Sequence, residues 1–191
     1  MKSILVINAH PSSDSLSGSL AKAYAASAKA AGHTVDLAHL SDLTFDPILH
    51  KGYKSIQTLE PDLLQMQKRI TAAQHVVFVF PVWWGSVPAL FKGFLDRTLL
   101  PGYAFKYRTD SPMWDKLLAG RTARIIVTSD GPIWWNRFIF KDSTIHMMKK
   151  AVLEFCGFKV SVTRMGSVKT AKPEQIQKFI NKIADLGTSG A

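Results

Sequence analysis

Three short stretches hold the residues that could do chemistry. The first is Ala9-His-Pro-Ser-Ser-Asp-Ser-Leu-Ser-Gly-Ser-Leu20, which sets a histidine, hydroxyls and a glycine ahead of a run with helical spacing. Orphan N–H groups and the dipole at such a helix start attract phosphate. His10 can add a charge-assisted bond, and Ser15, Ser17 and Ser19 can donate others. The same serines also read as ordinary N-caps. The second stretch, Pro81-Val82-Trp83-Trp84-Gly85-Ser86, places two adjacent tryptophans in a turn. Neighbours in an extended turn cannot point the same way, so one is expected to pack inward while the other lines a site. The third, Thr128-Ser129-Asp130-Gly131, offers small polar residues and backbone N–H groups and is followed by a second pair, Trp134-Trp135.

A phosphate loop, an aromatic loop and a polar loop together describe a flavin site better than a sugar or nucleotide site. Asp130, before Gly131-Pro132, reads first as a turn former; a proton carrier at the ring edge is the alternative. Other chemistries lack their patterns. There is no G-x-G-x-x-G, no Gly-Lys-Ser/Thr phosphate loop and no G-x-S-x-G elbow. His33, His39, His50, His75 and His146 are scattered without metal-ligand spacing, so no metal site is expected. The single Cys156 excludes an internal disulfide and reads as a small buried hydrophobe in a reducing, cytoplasmic setting.

The elements that must position these loops alternate. Strands are expected at Lys2–Asn8, His33–Leu40, Val76–Phe80, Arg121–Ser129 and Phe158–Met165. Helices are expected at about Ser19–Ala31, Glu60–Ala73, Ala89–Leu100, Asp142–Cys156 and Pro173–Leu186, with 130–136 a loop and 188–191 a frayed tail. The apolar runs are continuous, as in strands buried on both faces. Pro81 ends the third strand because it cannot donate to a ladder. Alternation of this kind predicts a parallel sheet covered on both sides. Five strands favour a flavodoxin-like three-layer α/β sandwich in the order 2-1-3-4-5, over a single domain, residues 1–191. In that order strands one, three and four are neighbours, so the three loops converge at one edge. The connections 41–59 and 100–120 are long for plain loops and are candidates for function or a subunit interface.

The formal net charge is +10. The basic residues are spread along the chain and no nucleic-acid motif accompanies them. A basic enzyme with phosphate-bearing ligands is the simpler reading, and no nucleic-acid partner is expected. No apolar run approaches the roughly 18–20 residues that span a bilayer, so no membrane insertion is expected.

The same residues resemble the flavodoxin-like NAD(P)H:quinone oxidoreductase family. Ala9-His10-Pro11 with Asp14-Ser15-Leu16-Ser17 is similar to the family's A-H-x-x-x-x-S-F-N loop, with Leu16 for Phe and Ser17 for Asn. Phe80-Pro81, Trp84, Val87-Pro88-Ala89-Leu90, Lys92-Gly93 and Asp96-Arg97 resemble its long F-P-x-x-W-x-x-x-P-A-x-L-K-G-W-x-D-R segment. Pro101–Phe105 and Phe155–Phe158 add two local matches. The resemblance implies a homodimer with flavin at the interface and NAD(P)H as co-substrate; between FMN and FAD the short chain favours FMN. Position by position, His10, Ser15, Leu16 and Ser17 would hold the phosphate. Pro81, Val82, Trp83, Trp84, Gly85 and Ser86 would cradle the ring, with Thr128, Ser129, Asp130 and Gly131 at its other edge. Phe105 and Tyr107 would reach the partner's pocket, with Trp134 and Trp135 beside the substrate. The family's Gly-Gly, and the Tyr and His beyond it, have no counterpart in 129–137, so no proton relay is carried over.

The implied activity is a two-step, ping-pong transfer of electrons from NAD(P)H through flavin to a quinone. The rival readings are an electron carrier or regulatory subunit of an ion-efflux system, and an azo- or nitro-reductase.

Overall fold

Strands apolar on both faces need cover on both faces, and the computed structural model, which describes residues 1–191, supplies it. In chain order the elements are β1 (Ser3–Asn8), α1 (Leu16–Ala30), β2 (Thr34–His39), α2 (Pro61–Ala72), β3 (His75–Pro81), α3 (Ala89–Thr98), β4 (Phe105–Tyr107), β5 (Trp114–Lys116) and β6 (Thr122–Thr128). Then come α4 (Ile133–Phe138), α5 (Ser143–His146), a π-helical turn (Met147–Leu153), α6 (Glu154–Cys156), β7 (Lys159–Met165) and α7 (Pro173–Ser189). The main sheet is parallel in the order β2-β1-β3-β6-β7, which is 2-1-3-4-5 when only its own strands are counted.

The period-2 alternation of strand side chains divides the core in two. Leu5, Ile7, Val76, Phe78 and Phe80 face α2, α3 and the Met147–Cys156 helical stretch. Ile4, Val6, Val77 and Val79 face α1 and α7. Gly187 lets those two helices touch, since a Cβ there would lie 2.4 Å from the Tyr24 carbonyl oxygen.

Four local expectations change. α1 starts at Leu16 rather than Ser19, because Ser15 is the N-cap and accepts from the Gly18 N–H at 3.1 Å. Residues 133–138 form the short helix α4 instead of remaining loop. The 142–156 helix is interrupted by the π turn. The C-terminal residues are tied down: the Tyr24 hydroxyl donates to the Ala191 carbonyl at 3.1 Å, and Lys2 Nζ to that of Gly190 at 2.7 Å.

Of the two long connections, 100–120 contains the antiparallel hairpin β4–β5. The other is fastened by Arg97, which is fully buried on α3. Its guanidinium donates to the Asp46 and Thr58 carbonyls and to both Glu60 carboxylate oxygens. Burial works to raise the Glu60 pKa, yet backbone N–H groups and Arg97 hold it below the usual value. No helix is long and apolar enough to cross a membrane.

Candidate functional site

Sheet register brings three strand ends together. Pro81 of β3 pairs with Thr128 of β6, and Asn8 of β1 pairs with Val79. The loops beyond them enclose an open cleft of about 150 Å³. Its wall is His10, Ser15, Leu16, Ser17, Pro81, Val82, Trp83, Thr128, Ser129, Asp130 and Val168.

The first loop is shaped by Asn8, which is buried at the end of β1. Its side chain accepts from the His10 N–H at 3.3 Å and lies 3.0 Å from His39 Nδ1. Ser12 N–H donates to His10 Nδ1 at 2.9 Å. The same Nδ1 lies 3.0 Å from the Ser12 carbonyl oxygen, so both loop contacts engage Nδ1 and leave Nε2 open to a ligand. Gly18 is required where it stands, because a Cβ would lie 2.0 Å from the Ser13 carbonyl oxygen.

The serine hydroxyls are mostly spent within the loop. Ser15 Oγ caps the helix and donates to the Ser12 carbonyl, and Ser19 Oγ donates to the Ser15 carbonyl. The open donors are instead the N–H groups of Leu16 and Ser17, which find no acceptor in the protein. They stand at the positive end of a 15-residue helix with no acid in its first turn. Asp14 lies just outside the helix and is exposed. Two open amides, a helix dipole and a histidine N–H form a donor set that fits a phosphate.

The second loop is a tight turn in which Trp83 and Ser86 exchange two N–H···O bonds of 2.9 Å. Trp84 (φ 51°) and Gly85 (φ 67°) both take left-handed backbone, the pattern of a type I′ turn. Ser143 and Thr144 hydroxyls donate to the Gly85 carbonyl at 2.9 and 2.7 Å and so anchor the turn to α5. Neither tryptophan is core: Trp83 is 43% exposed and Trp84 104%. Trp83 meets His10 edge-on, ring centroids 5.4 Å apart.

In the third loop Ser129 Oγ donates to the Gly131 carbonyl at 2.9 Å and accepts from Asn136 at 2.8 Å. The loop after β7 braces it, Ser167 N–H to Gly131 and Val168 N–H to Ser129, each 3.1 Å. The N–H groups of Trp84, Gly85, Asp130 and Gly131 have no acceptor in the protein. Asp130 is exposed and its carboxylate makes no hydrogen bond.

Not every expected residue lies in the cleft. Trp84, Ser86 and Gly131 stand outside its wall, and Gly85 lines a neighbouring cavity with Asn136, Asp142 and Arg164. Phe105 and Tyr107 line a separate apolar groove between α3, the hairpin and the π turn. Trp134 and Trp135 are exposed on α4, in edge-to-face contact at 5.6 Å. Sequence reading passed over Asn8 and Val168. A polar residue closing an apolar strand was a usable signal for Asn8; Val168 carries none. Cys156 is buried, its thiol pushed up to about 12 by desolvation, so it is no nucleophile. No group of three His, Cys, Asp or Glu side chains is placed to hold a metal.

A family model described as flavodoxin-like fold matches residues 2–186. Mouse ribosyldihydronicotinamide dehydrogenase (quinone) is 30% identical over 186 residues, covering 83% of this chain and 78% of its own. The NAD(P)H:quinone oxidoreductase of Methanothermobacter marburgensis superposes with a TM-score of 0.83 at 21% identity, covering 100% of this chain and 99% of the other. An FMN-dependent NADH-azoreductase of Bacillus anthracis, crystallised with FMN, gives a TM-score of 0.79 at 22% identity over 100% of both chains. The expectation drawn from the loops and the motif is met: this chain belongs to the flavodoxin-like family, as a flavin-binding oxidoreductase related to the NAD(P)H dehydrogenase (quinone) enzymes.

Proposed function

We propose that the chain is an FMN-dependent, homodimeric, cytoplasmic NAD(P)H oxidoreductase whose acceptor is a quinone or similar small molecule. The observation that carries this is the pair of unpaired amides at the start of α1, set at one end of a cleft between the β3 and β6 loops. In this reading the Leu16 and Ser17 N–H groups and His10 Nε2–H hold the phosphate. Pro81, Val82 and Trp83 form one wall for the ring, and Thr128, Ser129 and Asp130 the other. The bound flavin supplies two-electron chemistry between a nicotinamide and an acceptor. The protein's part is electrostatic: the free N–H groups of Trp84, Gly85, Asp130 and Gly131 are preorganised donors for negative charge gathering at the ring edge. Asp130 is the carboxylate lining the cleft.

FMN is preferred because the donor set ends at one phosphate and the Bacillus anthracis protein of this fold holds FMN. A homodimer is supported by the groove holding Phe105 and Tyr107, whose lining is mostly apolar and which a second copy would cover. The test is the mass and spectrum of cofactor released from purified protein, followed by steady-state kinetics with a quinone. FMN and parallel double-reciprocal lines are expected. Colourless protein that cannot be reconstituted overturns the reading, and intersecting lines overturn the ping-pong order. Flavin-loaded protein that no acceptor turns over would return the function to an electron carrier or regulatory subunit.

A further inference from the structure

The geometry points to Arg137 as the reader of the 2′-phosphate of NADPH, in a second pocket adjoining the flavin cleft; this rests on the reductase reading above. The pocket is lined by Ile133, Trp134, Arg137, Phe138, Gly166 and Ser167. A thin ridge separates it from the cleft. Ser167 N–H bonds to Gly131 and Val168 N–H to Ser129, each at 3.1 Å, and Val168 and Ser129 themselves line the cleft. Gly166 allows the contact, since a Cβ there would lie 2.7 Å from Ile133 N and 2.9 Å from the Gly131 carbonyl oxygen. The pocket and the cleft thus share one backbone segment, over which a dinucleotide stacked on a flavin in the cleft would run.

Arg137 stands apart from the chain's other arginines. Arg69, Arg97, Arg108, Arg121, Arg124 and Arg164 each hydrogen-bond to a protein acceptor. Arg137 has neither a hydrogen bond nor an ion pair; its cation only lies 5.8 Å from the centroid of the Phe138 ring. A guanidinium fork with no protein partner is suited to a phosphate it can grip bidentately. The exposed faces of Trp134 and Phe138 beside it suit a stacked purine. A carboxylate in the pocket would repel a 2′-phosphate. None of the six lining residues is acidic, and Asp130 faces the cleft on the other side of the ridge. Lys169, exposed on the turn that follows and unpaired, adds positive charge.

The experiment compares 2′,5′-ADP with 5′-ADP by calorimetry and tryptophan quenching, and NADPH with NADH by kcat/KM, in wild type, Arg137→Gln and Arg137→Lys. In wild type, 2′,5′-ADP and NADPH should be favoured by about 10- to 100-fold, the range of a charge-assisted pair. Arg137→Gln should remove the preference in both assays, through KM rather than kcat. Arg137→Lys should retain part of it. Equal affinity for the two ADP isomers, or an NADPH:NADH ratio unmoved in Arg137→Gln, overturns the assignment. Both results are distinct from failure of the reductase reading, because ADP binding is measured whether or not flavin is present.

Discussion

Replacing Trp84 by glycine should stabilise the fold and weaken the site at once. The residue holds left-handed backbone at φ 51° in a turn closed by two hydrogen bonds. An L-residue pays about 1–2 kcal/mol there. Glycine removes that strain but returns about 0.4–1 kcal/mol through a freer unfolded chain. The indole is fully exposed, so no packing is lost. The net gain is about 0.5–1 kcal/mol. At this chain length it should raise Tm by about 1–4 °C. Strain kept at a cleft mouth implies work done there. Loss of the exposed indole beside the cleft should weaken flavin or acceptor binding by about tenfold, equivalent to ~1.4 kcal/mol. Thermal unfolding of flavin-free protein, FMN titration and the acceptor KM measure both halves. A lower Tm refutes the strain argument. A higher Tm with FMN affinity and acceptor KM unchanged refutes the functional one.

Gly18→Ala should destabilise by about 1–3 kcal/mol and impair FMN retention, because the new methyl meets the Ser13 carbonyl and pushes the 9–15 loop off α1; denaturation and cofactor content check it. Arg97→Met should cost about 3 kcal/mol in a denaturant titration, since Glu60 and the Asp46 and Thr58 carbonyls lose their donor. His75 is buried on β3 and desolvation, with Lys2, Arg124 and His33 nearby, lowers its pKa to about 4. The unfolded chain then binds the extra proton first, so stability is full above pH 6.5 and falls as pH drops toward about 4, by about 3 kcal/mol. Urea midpoints across that window should show the fall, and His75→Asn should flatten it relative to wild type.

The sheet was legible because β1, β3 and β6 are apolar on both faces, a pattern with few other uses in a chain of this length. Strand order followed from alternation and handedness, and with it the convergence of the three loops. The short elements were not legible. β4 and β5 are three residues each and exist through their pairing with one another. α4 reads Ile-Trp-Trp-Asn-Arg-Phe, without helical periodicity, because no face of it is buried. At the site, the serines advertised hydrogen bonding that the loop uses for itself, while the free donors are backbone N–H groups that no side-chain pattern records. Trp84 was visible as an aromatic in a turn, but its left-handed backbone was not.

The account turns on a phosphate held at the start of α1, and comparing FMN with riboflavin in fluorescence titrations of the same flavin-free protein tests that directly. With two amides and a histidine N–H directed at the phosphate, FMN should bind at least about 100-fold more tightly, the worth of two or more charge-assisted bonds. Equal affinity for the two would place the phosphate elsewhere and contradict the account.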